Sequence, residues 1–519
     1  MPNYKTALWS DVESGRQFSA LPGDISADIA IVGGGITGVT AARLLTEAGL
    51  HVVLLESRRL GSGETKRTTA HLTEVLDARF QRLLSNFGEE GARLALRGQR
   101  AAIKQIDTFV QKLAIDCQLE RLPGYLMAET SDEERELETE AEAARKLGIS
   151  ATLVTEIPLP FQVRRALRFD GQAQLHPTKY LNGLVADLAG PGCDIFETTH
   201  VQEIIDGEPC QVITDRGTVS AKDVIVASGV PISNRYLIHP KLAAYRTHAI
   251  ALALPGASAP GLFWDMKDPY HYVRGQVVDG MFYLIVGGED HKVGEGPESD
   301  GPFRRLDHYL ETHFERSSTA TDFRWSGQII ESADGLPYVG RNSSAKHVFI
   351  ASGYSGNGMT NGTLAAMVLS DQVRKVDNDW TSLLEATRIK PVASARAVIS
   401  ENIAFPKHLL KDRLLPLGRK GVEQIRSGEG AVVSVNGRKL AVYRNSEGQL
   451  SAVSPVCPHL GCLVQWNTTA KSWDCPCHGS RFDPAGRVLN GPAVSALAPK
   501  ALPAANAVAE TAKDTETHG

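Results

Sequence analysis

The chain has 519 residues, of which 42% are hydrophobic and 22% charged. That balance supports a sizeable folded core and excludes disordered and collagen-like chains. A net charge of −5 offers no basis for holding nucleic acid or an anionic membrane surface.

At roughly 100–200 residues per domain, the length predicts about three domains. No uncharged apolar run reaches the roughly 18 residues that a membrane helix needs. The opening MPNYKTALWSDVESGRQF has no apolar core and no small-residue cleavage site, so the expected location is cytoplasmic, with no membrane span. The seven cysteines are an odd number and unevenly placed. Cys117, Cys193 and Cys210 are scattered and read as plain buried thiols. Cys457, Cys462, Cys475 and Cys477 share one short stretch, which points to a second kind of module.

Taken in chain order, 29–32 is an apolar run short enough for a strand. GGGITG follows, then a helix over 37–48 closed by Gly49, then a strand ending at Glu56. Residues 88–117 and 131–147 predict helices, the second with an acidic solvated face. From 195 to 350 short β-branched and aromatic runs separated by Gly, Pro and Asp predict strands and turns. A buried strand over 347–353 leads through a glycine-rich turn into a helix over 361–376. Residues 376–420, with scattered prolines, predict a linker. Short strands return over 421–503, and the small, polar tail 504–519 predicts disorder.

Gly33-Gly34-Gly35-Ile36-Thr37-Gly38 fits the dinucleotide fingerprint. The first glycine makes the turn, the next admits a pyrophosphate to the backbone, and Gly38 lets helix pack on strand. The helix start turns unpaired N–H groups and partial positive charge toward the phosphates. Glu56, ending the next strand about twenty residues on, suits a ribose hydroxyl. FAD and NAD share this fingerprint. No second G-x-G-x-x-G appears, which argues against NAD(P)H as electron donor.

Three further segments decide for FAD. LGSGETKRTTAHLT (60–73), SADGLPYVGR (332–341) and ASGYSGNGMTNG (351–362) resemble FAD-dependent oxidoreductases of the D-amino-acid oxidase class, which includes glycine, sarcosine and γ-glutamylputrescine oxidases. The resemblance covers about residues 25–375. It implies an α/β FAD-binding Rossmann-like domain built from segments 25–75, 195–235 and 330–375, with an antiparallel-sheet substrate domain between. It also implies that Gly353, Gly356, Gly358, Met359 and Thr360 line the flavin, with Asp334 and Gly335 near it. Val201 would contact the adenine side, and Gly63 and Gly229 would complete the cofactor contacts. His71 lies in the segment beside the flavin, where some relatives attach FAD covalently; a hydrogen-bonding role is expected here.

The C-terminal stretch carries Cys457-Pro458-His459 and, later, Cys475-Pro476-Cys477-His478. Two Cys and two His at this spacing suit either a structural zinc site or a Rieske 2Fe-2S cluster. The flanks CPHLGC and CPCHGS resemble the two cluster loops of Rieske proteins in cytochrome b–c complexes. That resemblance implies a small all-β domain over 421–503, with Cys457, His459, Cys475 and His478 as ligands and a disulfide between Cys462 and Cys477. Gly491-Pro492-Ala493 matches the loop that covers the cluster. One departure is Phe482, where those proteins usually carry a tyrosine that donates to sulfur.

On the substrate side, WDMKDPYHYVRG and GGEDHKVG offer Tyr270, His271, Arg274, His291 and Lys292 as candidates to hold a carboxylate or orient an amine. The segment QLHPTKYL resembles one in which the residue before proline opens a helix near substrate, so His176 is an equally open candidate. The expected activity is oxidation of a small amine or amino acid. In the class the α-hydrogen leaves as hydride to the flavin and water hydrolyses the resulting imine. Electrons then pass singly through the cluster to a carrier protein or quinone-like acceptor. The rivals are a redox sensor or electron-transfer protein without turnover, and a flavin monooxygenase fed by a reduced carrier. A Rieske oxygenase fits poorly, because no two-histidine, one-carboxylate iron site is evident outside the cluster motif.

Overall fold

In a computed structural model of the chain, the described residues are 7–11, 15–232, 238–256, 258–293, 301–315, 321–389, 421–468 and 470–502. The tail 504–519 and residues 390–420 of the expected linker lie outside them. Two compact units are present: residues 1–291 with 300–398, and residues 292–299 with 399–519. Among the described residues no helix is long and apolar enough to cross a membrane.

The larger unit contains two sheets. The first runs in the order Tyr338–Arg341, Val348–Ser352, Thr218–Val226, Ile25–Val32, Val52–Leu55, Cys193–Phe196. Its central pairs are parallel. Ile29 to Val32 and Val52 to Leu55 are buried throughout, as strands covered on both faces require. Helix Ile36–Glu47 follows the first strand directly, and helix Gly358–Val373 packs across it. That crossing is close: a side chain on Gly362 would come within 2.8 Å of Ile36 and 2.9 Å of Thr37.

The second sheet runs Phe323–Ser332, Leu242–Ala253, Met281–Lys292, His271–Val278, Leu262–Asp265, Glu120–Ala128, Arg165–Gln174, His71–Leu72. Its pairs are antiparallel except the parallel match of Leu262–Asp265 with Glu120–Ala128. Helix Ser131–Lys146 opens on a full capping box of Thr130 and Glu133, a signal written locally in the sequence. Helix Arg79–Lys112 begins nine residues before the expected start at 88, and Gly88 stays inside it at φ 69° as a kink. Its first N–H groups are capped from a distance, by Glu140 at 2.9 Å to Phe80 and 3.3 Å to Gln81. Helix Gly301–Phe314 interrupts the stretch expected to be strands; its buried Phe303, Leu306, Leu310 and Phe314 keep helical spacing.

Residues 376–389, expected as linker, pack on the larger unit. Trp380 donates to the Leu94 carbonyl at 3.0 Å, and Arg388 bonds both oxygens of Asp334 at 2.8 and 2.7 Å. The smaller unit has two antiparallel sheets. One joins Glu429–Val435, Arg438–Arg444 and Leu450–Val453; the other joins Gln465–Asn467, Ser472–Asp474, Arg481–Phe482 and Val488–Asn490.

Candidate functional site

The dinucleotide end is built by backbone closeness. A Cβ on Gly38 would lie 1.9 Å from the Gly33 carbonyl oxygen, and one on Gly33 (φ 112°) would lie 2.6 Å from that of Ala227. Only glycine fits at either position. Glu56 accepts from the Gly34 N–H at 2.8 Å and the Arg58 N–H at 2.9 Å, so its carboxylate is fixed at the strand end beside the turn. Neither helix Ile36–Glu47 nor helix Gly358–Val373 has its start capped by the N-cap side chain. Gly63 and Gly358 have no heavy atom within 4 Å of where a Cβ would sit. Helix starts without an N-cap side-chain bond (the Ile36 N–H is held by Thr65 at 3.1 Å), an anchored acid and glycines facing open space fit an FAD molecule.

The other expected flavin contacts lie on several elements. Gly353 and Gly335 take φ of 78° and 93°. Met359 and Thr360 are buried in the first turn of the helix, and Thr37 is hydrogen-bonded to Tyr354 at 3.0 Å. Gly229 accepts from Ser352 at 2.6 Å. Val201 is buried in the hairpin Val201–Ile205 with Cys210–Thr214. Asp334 is wholly buried and paired with Arg388, so it ties the turn to the last described segment of the unit. The Nε2 of His71 is buried without a hydrogen-bond partner, and burial followed by the Arg274 charge holds its pKa down to about 3. A neutral imidazole with an orphaned nitrogen fits a hydrogen bond to the cofactor.

Between the late turn and the second sheet lies a hollow. Asp77 is exposed there and Tyr270, Tyr272 and Tyr354 are half-buried, while both Asp290 carboxyl oxygens are buried behind them. At Gly356 a Cβ would meet Asp77 at 2.6 Å and the Tyr270 hydroxyl at 3.1 Å. Tyr270 and Tyr272 have ring centroids 5.9 Å apart, and Tyr272 shares a hydrogen bond with Thr247 at 3.2 Å. Gly287 lets the Tyr272 ring lie against its strand, since a Cβ there would come within 2.3 Å of it. Burial pushes the Asp290 carboxyl up to about 8; the Thr247 hydroxyl pulls the other way, and the charges of Asp77, Glu331 and Glu289 push it up further.

Of the five substrate-side candidates, Tyr270 reaches this hollow. His271 is held between Asp265 at 2.8 Å and Glu289 at 3.2 Å. Arg274 is fully buried and donates to the carbonyls of Thr69, Ala70 and Leu175 and to Gln276. His291 stacks on His248 at 5.2 Å, and Lys292 ends the strand. His176 caps helix Pro177–Ala186 through Lys179 at 3.3 Å and meets Trp9 edge-on. Asp77, Asp290 and Glu331 escaped the sequence reading, although GGEDHKVG contains Asp290.

The cluster stretch forms two matched loops. In one the Gly461 N–H closes on the Cys457 carbonyl at 3.0 Å; in the other Gly479 closes on Cys475 at 3.0 Å. Both glycines have left-handed backbone, φ 78° and 76°. Cys462 and Cys477 form a disulfide across the loops, while Cys457 and Cys475 are buried free thiols. The rings of His459 and His478 lie 5.0 Å apart and nearly perpendicular. Hydrogen bonds, first from Cys475 and then from the His459 backbone and Ser480, outweigh burial and hold the Cys457 thiol down to about 7. Ser480 also accepts from the Ala493 N–H at 3.0 Å, which seats the third loop. Two thiols and two imidazoles meeting under a disulfide fit a Rieske cluster.

Fold and site together define a FAD-dependent oxidoreductase of the amine- and amino-acid-oxidase type that carries a Rieske domain. The chain belongs to the FAD dependent oxidoreductase family, whose model matches residues 28–372, and the Rieske 2Fe-2S domain model matches residues 419–503. Its cofactors are therefore FAD and a Rieske 2Fe-2S cluster. It is 33% identical to the protein YhfW of Bacillus subtilis (strain 168) over 94% of this chain and 96% of that one. It is 25% identical to the γ-glutamylputrescine oxidoreductase of Escherichia coli (strain K12) over 69% of this chain and 86% of that one. The crystal structure of glycine oxidase from Geobacillus kaustophilus has the same fold over 70% of this chain and 99% of that one, with TM-score 0.61 and 20% identity.

Proposed function

We propose that this protein oxidises a small amine or amino acid at FAD and passes the electrons one at a time through its Rieske cluster to an external carrier protein or quinone-like acceptor. The observation that carries the reading is the hollow of Tyr270, Tyr272 and Tyr354 beside the late glycine turn, in a chain that also holds a one-electron centre. FAD supplies a two-electron acceptor and the cluster a one-electron relay. The relatives' names, γ-glutamylputrescine oxidoreductase and glycine oxidase, favour a nitrogen-bearing substrate.

The residues proposed for FAD are Gly33, Gly35, Ile36, Thr37, Gly38, Glu56, Gly63, His71, Val201, Gly229, Asp334, Gly335, Gly353, Gly356, Gly358, Met359 and Thr360. Their support is the fit of turn, helix starts and anchored acid described above. Cys457 and Cys475 are proposed as the thiolate ligands of one iron, and His459 and His478 as the imidazole ligands of the other. The proposed domains are an oxidoreductase over 1–375, with residues 376–389 of the expected linker packed on it, the rest of that linker over 390–420, and a Rieske domain over 421–503. Within the hollow, Tyr270 and Tyr272 orient the substrate. Anaerobic mixing with amines and amino acids, following flavin bleaching and the cluster's EPR signal, tests the proposal. Bleaching followed by appearance of the reduced-cluster signal is expected. A flavin that no such compound bleaches would overturn it.

A further inference from the structure

Residues 61–70 bridge the dinucleotide turn and the second sheet. At the near end the Gly61 N–H donates to the Gly34 carbonyl at 2.9 Å, and the Thr65 hydroxyl accepts from the Ile36 N–H at 3.1 Å. Glu64 accepts from the Gln328 N–H, on the strand Phe323–Ser332, at 2.7 Å. At the far end four consecutive carbonyls are held by side chains from elsewhere in the chain. Trp325 donates its indole N–H to the Arg67 carbonyl at 2.9 Å, and Trp9 donates to that of Thr68 at 2.7 Å. Arg274 donates to the carbonyls of Thr69 and, at 3.2 Å, Ala70.

The three donors act as one unit. All are buried, and Trp9, from the turn Leu8–Asp11, shares an apolar cluster with Trp325. The Arg274 guanidinium lies 5.7 Å from the centre of the Trp9 ring. Ala70 is wholly buried and takes left-handed backbone, φ 55°. An alanine keeps that conformation only where its surroundings over-determine it. Here they do: its carbonyl is held by Arg274, and its N–H donates to the Thr68 hydroxyl at 3.0 Å.

We propose that Trp9, Trp325 and Arg274 are positioning residues for FAD. Acting through the carbonyls of residues 67–70, they set the backbone that runs beside the flavin and keep its negative carbonyl ends turned from the ring. Arg274 thus serves the cofactor, not a substrate carboxylate. This rests on the FAD placement proposed above and on no particular substrate.

The test needs no substrate: titration of apoprotein with FAD, and redox titration of the holoenzyme followed at the flavin absorbance. Trp9→Phe and Trp325→Phe each remove one indole N–H and keep a buried ring. Each is expected to weaken FAD binding about fivefold, the scale of one hydrogen bond. Each is also expected to lower the flavin's potential, because a released carbonyl that turns toward the ring opposes the electron-rich reduced flavin. Arg274→Lys keeps the charge without the fork and should move both quantities in the same direction. Melting temperature reports folding separately. A folded tryptophan variant that melts earlier but keeps its FAD affinity or its flavin potential would show a merely structural bond and overturn the proposal. FAD binding and the amine-oxidation reading would then still stand.

Discussion

Glu289 and Asp290 are consecutive residues, yet they serve opposite faces of the second sheet. Glu289 bonds His271 at 3.2 Å and Arg305 on one face, while Asp290 approaches Thr247 and the two tyrosines on the other. The left-handed backbone at Gly288 (φ 127°) and Glu289 (φ 56°) distorts the strand at that point. The face of Glu289 is a network of paired charges: Asp265, His271 and Arg305, with Tyr309 stacked on His271 at 4.4 Å. The face of Asp290 carries the Thr247 hydroxyl and the rings of Tyr270 and Tyr272. One strand thus separates a structural ion network from the hollow.

The structural network predicts a pH-dependent stability. Burial pulls the His271 pKa down, but hydrogen bonds to Asp265 and Glu289 outweigh it and raise the value to about 9. An unfolded histidine titrates near 6.5. The raised value means that the folded state binds the proton more tightly. The stabilisation is full below about 6.5 and is lost as pH rises through 9, amounting to about 3 kcal/mol at most. The melting temperature should fall across this window, and His271→Gln should flatten the fall. Parallel wild-type and variant curves would refute the assignment.

Gly358 separates a folding role from a cofactor role. Its backbone is helical and no atom lies within 4 Å of a built Cβ, so alanine is tolerated by the protein itself. Alanine at a helix start should even help by up to about 1 kcal/mol. Gly358→Ala is therefore expected to give a stable apoprotein whose FAD affinity falls about tenfold or more, because the lost space is where backbone meets cofactor. Fluorescence titration of apoprotein with FAD measures it. Gly38→Ala is the contrast: a Cβ 1.9 Å from the Gly33 oxygen should prevent the fold from closing. Unaltered FAD affinity in Gly358→Ala would exclude close contact there.

What was legible in the sequence is what is encoded within a few residues. The turn at Gly33 to Gly38, the acid at Glu56 and the two cysteine loops are local motifs, and the structure assembles them as their spacing implies. Other features depend on partners far along the chain. The start of helix Arg79–Lys112 is capped by Glu140, 60 residues from Phe80, so no local signal marks it. Residues 376–389 look like linker but are pinned by Arg388 to Asp334, 54 residues earlier. The hollow is the extreme case. Asp77 comes from a segment without periodicity, and the distortion at Gly288 and Glu289 falsifies simple strand alternation, so His271 looks the better candidate and Asp290 is passed over. Chemical richness in a short segment does not say which face a side chain occupies.

The smaller unit predicts a tunable potential. Phe482 is fully buried and pairs with Trp473 in the sheet beneath the second loop, two residues after Ser480, which bonds toward Cys457. Hydrogen bonds to cluster sulfur favour the reduced, more negative state. A phenylalanine here withholds one such donor, so the potential should lie low in the Rieske range of roughly −150 to +300 mV. Phe482→Tyr should raise it. A hydrogen bond worth about 1 kcal/mol corresponds to roughly 40 mV for one electron. Redox titration followed by EPR decides; a tyrosine variant with an unshifted or lower potential would contradict the argument.

The Cys462–Cys477 disulfide should govern how firmly the cluster is kept. The two residues are 15 apart in sequence and 6.4 Å apart at Cα, and they join the loop of Cys457 to the loop of Cys475. Closing a loop of this length constrains the unfolded chain by about 3 kcal/mol in the chain-entropy treatment. The flanking sheets are short, only three residues in Gln465–Asn467 and Ser472–Asp474, so little else holds the loops together. Cys462→Ser and Cys477→Ser should each lower cluster content and speed loss of its visible absorption under mild reductant, without altering FAD content. Alkylation of the denatured protein without reductant, followed by mass spectrometry, should modify Cys117, Cys193 and Cys210 and, once the cluster is released, Cys457 and Cys475, and leave Cys462 and Cys477 unlabelled. Labelling of the latter pair in protein that retains its full cluster would show that the loops hold iron without the bond, and the assigned role would then fall.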